Sequence, residues 1–543
     1  MNKHVSVKQP THLERISDSC LAFRLDKQFI SDNNYLFIAP NGNFCRACFQ
    51  RRYLTQMMNE VKNINLHNSV LNLAIKLDRN YKNKSWQAYS VANQKLILSF
   101  ELTPYEDCPV CGKQKNYSKE EARVLYKKLF NKESISNIEA LEKQVFSFGF
   151  ARKLATTKKT GLSNPEFDQL LGNNHEAKIV FRMLAPDRRF ADDSAIGFDK
   201  VKNLAELKSL MEYIERYAFM MQLCRFKTGE YDDQIISTNL ALYRKKSSQN
   251  ELREIRSNAA WGINLLTEEI HAIPLSFIFN RGQISFLSPT SSGFAAHTDF
   301  SKSLCSSILE IVERDAFIRF WHDPQRAFHF KPNEDIKSNI DNIISIIKPV
   351  VDNENVVGNF FVIQSPTKLP VVLITISSED FSKPPSLCFG CGTGFNLDDA
   401  ILGAIEELRQ NTINLIKGVT VIDGFLNRSF TSKVETIADR MNFYSTSIPR
   451  SKLRFLDNDN PLINGIVKNT EQPDLDVLVN RFKQIGFDIY GLDCTPLCFR
   501  DKNVYVTRAF SPQLYPMQFE KDDAYKITTG ILSAHKELPH FFI

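Results

Sequence analysis

The pattern Ser-x-x-Glu-x-x-Glu-Arg occurs at Ser209, Glu212, Glu215 and Arg216, and again 98 residues later at Ser307, Glu310, Glu313 and Arg314. A weaker third copy stands 97 residues further on, where Ala404, Glu407, Gln410 and Asn411 hold the four positions. Spacings of three and four place side chains on one side of a helix. Each copy also rides on an apolar stripe of helical period: Leu207, Leu210, Met211, Ile214 and Met221 in the first; Leu304, Ile308, Ile311 and Val312 in the second; Ile401, Ile405, Leu408 and Leu415 in the third. Thr298 and Asp299 are suited to cap the second helix, and Asn396 with Asp398 and Asp399 the third, because short polar side chains satisfy the first backbone N–H groups. One such copy alone reads as a solvated face with charges paired a turn apart. Three in register predict helices packed side by side that gather Glu212, Glu215, Glu310, Glu313 and Glu407. Gathered carboxylates repel unless protonated or neutralised by cations. Magnesium usually takes one or two carboxylates per ion and completes its shell with water and substrate phosphate. This number of acids therefore predicts two magnesium ions and a polyphosphate.

Around these helices stand LAELKSLMEYIERYAF (204–219), WGINLLTEEIHAIPLSFIF (261–279), SPTSSGFAAHTDFSKSLCSSILEIVERDAFIRFW (288–321), GTGFNLDDAILGAIEELRQ (392–410) and VTRAFSPQLYPM (506–517). In this order they resemble the YcaO-domain proteins, specifically the cyclodehydratases of ribosomal peptide biosynthesis that make azoline rings, as in thiazole/oxazole-modified microcins and related bacteriocins. The resemblance implies an ATP site between the glutamate helices. Glu212, Glu215, Glu310 and Glu313 would hold magnesium and through it the ATP phosphates, with Arg216 and Arg314 on phosphate or locking the carboxylates. Ser209, Glu407 and Gln410 match further cofactor-side positions, and Lys159 and Arg508 sit where the family places phosphate-side cations. The implied reaction phosphorylates the backbone amide oxygen after attack by a Cys, Ser or Thr side chain, then eliminates phosphate to leave thiazoline or oxazoline. Thioamide or amidine formation is the nearest alternative, and a catalytically silent scaffold subunit is the alternative from another class. Departures from the family pattern are His297 in place of a common glycine, the altered turn SAIGFDK (194–200), and an ending, ELPHFFI, that is not proline-rich.

The N-terminal third carries two C-x-x-C pairs, Cys45/Cys48 and Cys108/Cys111. Two such pairs can complete a closed tetrahedral zinc site of structural type. The knuckle DCPVCG and the basic helix expected after Cys48 resemble the tail of the ThiF-like partner protein that accompanies YcaO enzymes. That implies a docking element, with the precursor peptide's leader recognised by a separate ThiF-like or leader-binding subunit and, where azoles are made, a flavin-dependent oxidase. Residues 1–130 are expected to form this zinc-binding region with a helical connector over YSKEEARVLYKKLF, and 131–543 the YcaO domain. A third pair, Cys388 and Cys391, reads as a strand entering a glycine-rich turn. Cys20, Cys224, Cys305, Cys494 and Cys498 read as small buried hydrophobes.

In the remaining chain, strands are expected at 179–184, 272–279, 359–364, 370–377 and 487–493, alternating with the helices, which implies an α/β domain. No GxxxxGK[ST] loop is present, and Gly392-Thr393-Gly394 lacks the third glycine of a dinucleotide fingerprint. Nucleotide would therefore bind through metal and side chains. At 543 residues, 43% apolar and 24% charged, the composition is that of an ordinary soluble protein. A net charge of +6 is small for this length and calls for no nucleic-acid partner. No signal peptide or membrane-spanning run is visible, so a cytoplasmic location is expected. Eleven cysteines, an odd number, fit reduced thiols and a metal site better than a disulfide framework.

Overall fold

The computed structural model describes residues 12–17, 20–24, 28–31, 35–39, 68–80, 86–100, 116–131, 155–157, 175–184, 190–228, 259–275, 278–279, 291–351, 355–378, 387–421, 456, 474–496, 499 and 503–517. The chain divides into two compact units. One comprises Met1–Gln114, Asn137–Leu154 and Ile179–Ser194, and the other Lys115–Ser136, Ala155–Lys178 and Ala195–Ile543.

In the first unit β1 (His12–Ser17), β2 (Cys20–Arg24), β3 (Gln28–Ser31), β4 (Tyr35–Ile38), β5 (Trp86–Ser90) and β6 (Leu96–Phe100) form an antiparallel sheet in chain order. Side chains two apart share a face of a strand, and Leu36 and Ile38 use that period to meet Val70, Leu73 and Ala74 of α1 (Asn68–Asn80), together with Phe29 and Val91. Cys45, Cys48, Cys108 and Cys111, expected to hold zinc, lie outside the described residues, as do Lys159 and Cys498.

The second unit opens with α2 (Lys119–Phe130), whose start is fixed by a reciprocal capping box between Ser118 and Glu121. Expected as a connector, this helix lies in the core of the second unit. Tyr126 is fully buried beneath it, donating to the carbonyl of Trp261 at 2.9 Å and accepting from Asp493 N at 3.1 Å. β7 (Ala155–Thr157) follows in this unit, with β8 (His175–Leu184) and β9 (Phe190–Asp199) its sheet neighbours in that order; of these two strands the second unit holds 175–178 and 195–199, and the first unit the rest. α3 (Lys202–Met220) leads to β10 (Lys227–Thr228), β11 (Ala259–Asn264), β12 (Ile270–Pro274), β13 (Phe294–His297) and α4 (Phe300–His322). The strand expected through residue 279 stops at Pro274, where a missing N–H ends pairing and both Ile278 N and Phe279 N turn back to the Leu275 carbonyl.

A further sheet of β14 (Ala327–His329), β15 (Val356–Ile363), β16 (Val371–Ser378) and β17 (Leu387–Thr393) is antiparallel throughout, with α5 (Glu334–Val351) between its first two strands and α6 (Leu397–Val421) after its last. α7 (Leu475–Ile485), β18 (Tyr490–Asp493) and β19 (Tyr505–Phe510) complete the described chain. The last two strands enter the other sheet, in the order β10–β11–β18–β19–β13, with β12 paired to β11.

α4 joins the two sheets. It packs on β13 and β19 on one side and on β17 and β15 on another, and shares one core with Phe361, Leu373 and Phe389. The opposite face of β14–β17 buries Val372, Ile374, Ile376 and Cys388 against α5 and α6. Alternation along β16 thus fills both cores. α4 departs from the expected single stripe. Beyond Val312 it buries Asp315, Ala316, Phe317, Ile318, Phe320, Trp321 and His322, because neighbours cover most of its circumference. Among the described residues no helix is long and apolar enough to cross a membrane.

Candidate active site

The three acidic helices are α3, α4 and α6, and the first and third are set against a strand by small residues. A Cβ on Gly197 of β9 would lie 2.1 Å from the Ala205 carbonyl oxygen of α3, and one on Gly390 of β17 2.1 Å from the Ala404 oxygen of α6. Only a glycine permits such an approach. The first glutamate of each helix accepts from a backbone N–H, of the strand in the first and third copies and of the turn just before β13 in the second. Ile196 N donates to Glu212 Oε2 at 2.6 Å, Gly293 N to Glu310 Oε2 at 2.9 Å, and Cys391 N to Glu407 Oε2 at 2.6 Å. The sequence repeat is therefore a structural repeat in which a backbone N–H fixes the first glutamate of each helix.

The second oxygen of the first two glutamates is taken by the arginine a turn later. Arg216 binds Glu212 Oε1 through Nε at 2.9 Å and Nη2 at 2.7 Å. Arg314 reaches Glu310 Oε1 at 3.2 Å and also donates to Glu313 Oε1. In the third copy Asn411 replaces arginine and donates instead to the Phe389 carbonyl at 3.1 Å. Ser209 is fully buried, its hydroxyl donating to the Ala195 carbonyl at 3.1 Å, so it serves the helix–strand contact. Ser307 likewise meets Thr507 Oγ1 at 2.7 Å.

The electrostatics show that the helices bring their acids together. Burial pushes the Glu215 carboxyl well above the usual range, Glu310 and Glu212 add to the rise, and Arg216 and Arg508 oppose it. Burial likewise raises Glu313 to about 8, with Arg314 opposing and Glu407 and Glu310 adding. Glu407 is raised by burial and by Glu310 against the pull of Arg314 and the Cys391 N–H. Burial alone would lower Arg314, but Glu313, Glu310 and Glu407 outweigh it and hold the guanidinium still more firmly protonated. Glu310 is thus felt by all three raised acids. Two electropositive groups, Arg314 and Arg508, flank them, the latter buried with its guanidinium 5.0 Å from the Phe294 ring centroid. Gln410 is half-buried on the same helix as Glu407.

Gly293 was not visible as a site residue in the sequence. Its φ of +80° and its N–H to Glu310 put it at the middle of the cluster, with Arg508 Nη1 3.5 Å from where a Cβ would stand. The one available signal was a glycine after Ser291-Ser292, shortly before an alternating strand.

Carboxylate oxygens are hard ligands suited to magnesium, and their mutual repulsion gives a cation something to relieve. Glu215 is raised by burial, and Glu310 and Glu212 press on it. This donor set fits a divalent cation. No group of three or more His, Cys, Asp or Glu among the described residues is arranged as a ready-made metal site. Backbone N–H groups and arginines occupy several of the oxygens instead.

A mixed α/β unit with clustered acids, attendant arginines and no phosphate loop defines a class of enzyme that handles nucleotide through cations and side chains. The chain belongs to the YcaO cyclodehydratases, ATP- and Mg2+-binding: that family model matches residues 197–515, more than half of the chain. It is accordingly an ATP-dependent cyclodehydratase of that family. Solved structures agree on the fold. A heterocyclase in complex with substrate and cofactor superposes with a TM-score of 0.57 at 14% identity, covering 94% of this chain and 76% of that one. The E. coli microcin synthetase McbBCD complex gives 0.52 at 14% identity, covering 72% of this chain and 96% of that one. No curated protein matches.

Proposed function

We propose that this chain cyclodehydrates Cys, Ser or Thr residues of a ribosomally made precursor peptide to thiazoline or oxazoline, using ATP to activate the backbone amide oxygen. The observation that carries the reading is the convergence of Glu212, Glu215, Glu310, Glu313 and Glu407 from three helices, with Arg314 and Arg508 beside them. Family membership supports the reaction class.

A peptide amide is a poor electrophile, and the adduct formed when a side-chain nucleophile attacks its carbonyl collapses back unless its oxygen becomes a leaving group. Transfer of the γ-phosphoryl group to that oxygen, with loss of ADP, followed by elimination of phosphate, leaves the ring. Phosphoryl transfer rests on positioning and on charge stabilisation. Magnesium, held by Glu212, Glu215, Glu310 and Glu313, would supply neutralisation of phosphate charge. Arg314 and Arg216 keep their glutamates in place and can face phosphate, since a guanidinium fork suits either anion. Arg508 supplies a further cation beside Glu215, and Glu407 and Gln410 close the third side; Lys159, outside the described residues, is the further phosphate-side cation that the family resemblance implies.

Both E. coli microcin synthetase structures are complexes, one with pro-MccB17 bound. By the same logic this chain works with a leader-binding, ThiF-like partner, docked through the N-terminal region and its zinc cysteines Cys45, Cys48, Cys108 and Cys111. A flavin-dependent oxidase would act afterwards where the azole is the product.

The test is incubation of the full chain with partner, precursor peptide and Mg·ATP, read by mass spectrometry. Loss of one water mass per ring, together with release of ADP and phosphate, is expected. A mass gain matching oxygen-to-sulfur exchange would replace the proposal with thioamide formation, and unchanged peptide with no nucleotide bound by calorimetry would leave a scaffold. Glu310→Gln is expected to abolish turnover while the chain stays folded.

A further inference from the structure

We infer that Asp315 is a positioning residue of this site: through the backbone of Tyr515 it sets where Glu310 and Glu313 stand along α4 relative to Arg508. The inference rests on the function proposed above. α4 meets the run from β19 to Met517 at two polar clamps. At the first, Thr507 Oγ1 lies 2.8 Å from Ser303 Oγ and 2.7 Å from Ser307 Oγ. At the second, Tyr515 N donates to Asp315 Oδ1 at 2.7 Å. Ser307–Thr507 and Asp315–Tyr515 are each separated by 200 positions, so the clamps bracket the same number of residues on the two segments. Between them α4 carries Glu310, Glu313 and Arg314, and the other segment carries Arg508.

The second clamp is built for rigidity. Asp315 is fully buried, and a buried carboxylate persists only where paired and hydrogen-bonded. Arg319 Nε donates to its other oxygen at 2.8 Å, and the same guanidinium lies over the Tyr515 ring, 4.5 Å from the centroid. One turn of α4 thus grips both backbone and ring of a single residue. Apolar packing of Leu514, Tyr515 and Met517 would keep this segment near α4 but tolerate a small slide. A hydrogen bond to a backbone N–H does not. Glu310 and Glu313 on one strut and Arg508 on the other are therefore held at fixed depth, which phosphoryl transfer requires.

The experiment compares the full chain with Asp315→Leu, Asp315→Asn and Arg319→Gln. It reads hydrogen exchange at the Tyr515 amide, calorimetric affinity for Mg·ATP, and peptide turnover per folded molecule. Asp315→Leu should release the Tyr515 amide to exchange, weaken Mg·ATP about tenfold and lower kcat/KM about 100-fold, the scale of a 1 Å misplacement. Asp315→Asn, which keeps an acceptor oxygen, should recover most of both losses. A faster-exchanging Tyr515 amide with unchanged Mg·ATP affinity and unchanged turnover per folded molecule overturns the inference, as does an asparagine variant no better than leucine. If the leucine variant does not fold, Asp315→Asn against Arg319→Gln decides. Loss of affinity confined to the arginine variant would mean that the ion pair, and not the backbone contact, sets the register. A wild type that binds Mg·ATP but alters no peptide defeats the function proposed above, while the calorimetric and exchange comparisons still judge the clamp.

Discussion

Gly293 concentrates three demands on one backbone unit. Its φ of +80° lies where an L side chain is strained, its N–H holds Glu310, and its carbonyl accepts from Ala509 N at 2.9 Å. An added Cβ would stand 2.5 Å from Ile311 Cγ2 and 3.0 Å from the Ala509 oxygen. The left-handed conformation alone costs about 1–2 kcal/mol for a residue with a Cβ. Gly293→Ala should therefore lose at least that in urea unfolding, and weaken Mg·ATP because Glu310 turns with the displaced N–H. A variant within about 0.5 kcal/mol of wild type, the range of an ordinary surface change, would show the backbone there to be unconstrained. Glu310→Gln probes the same contact from the other side. It keeps an acceptor for Gly293 N but removes the charge that Arg314 and a cation answer, so folding should survive where turnover does not.

At the scale of elements, α2 shows what a local reading sees and misses. Its capping box and period are plain in SKEEARVLYKKLF, and Ser118→Ala should cost about 1 kcal/mol by thermal or urea unfolding. Its place in the core depends on Tyr126, whose partners Trp261 and Asp493 lie 135 and 367 positions away. Tyr126→Phe removes the bond to the Trp261 carbonyl and strands Asp493 N, at a cost of about 1–3 kcal/mol. A change no larger than that for Ser118→Ala would make α2 the peripheral connector its sequence suggests. The acidic helices were legible for the opposite reason: a repeat repeats its environment, so Glu212, Glu310 and Glu407 could be aligned without knowing the strands beneath them. The N–H contacts from Ile196, Gly293 and Cys391 could not be read, because they depend on the depth at which each helix seats on its strand. Strands β1–β6 carry little sequence signal because they are short, at four to six residues each.

Across the molecule, the carboxylate cluster is assembled from helices that begin at residues 202, 300 and 397, so its charge state bears on how the whole second unit holds together. Glu313 binds its proton up to about 8 when folded against an ordinary 4.5, and Glu215 and Glu407 shift in the same direction. A raised carboxyl means that the folded chain holds protons the unfolded chain has already released. Its stabilisation is therefore complete below about 4.5 and is lost as pH rises through about 8. Each such proton contributes a slope of about 1.4 kcal/mol per pH unit inside that window. Asp199, lowered from 3.8, gives its stabilisation above that value, before the window opens. His297, lowered from 6.5, acts in the opposite sense on the acid side of 6.5. The difference between wild type and Glu313→Gln removes both. Without cation or nucleotide, the wild type should lose stability relative to Glu313→Gln as pH is raised through the window, in urea titrations at fixed ionic strength. Mg·ATP at about 100 times its Kd should return about 2.7 kcal/mol to the wild type, with a larger gain at the alkaline end, where the carboxylates it neutralises are ionised. Parallel stability curves for the two proteins across that range would mean that Glu313 titrates as an ordinary surface acid and that the three helices do not share one electrostatic site.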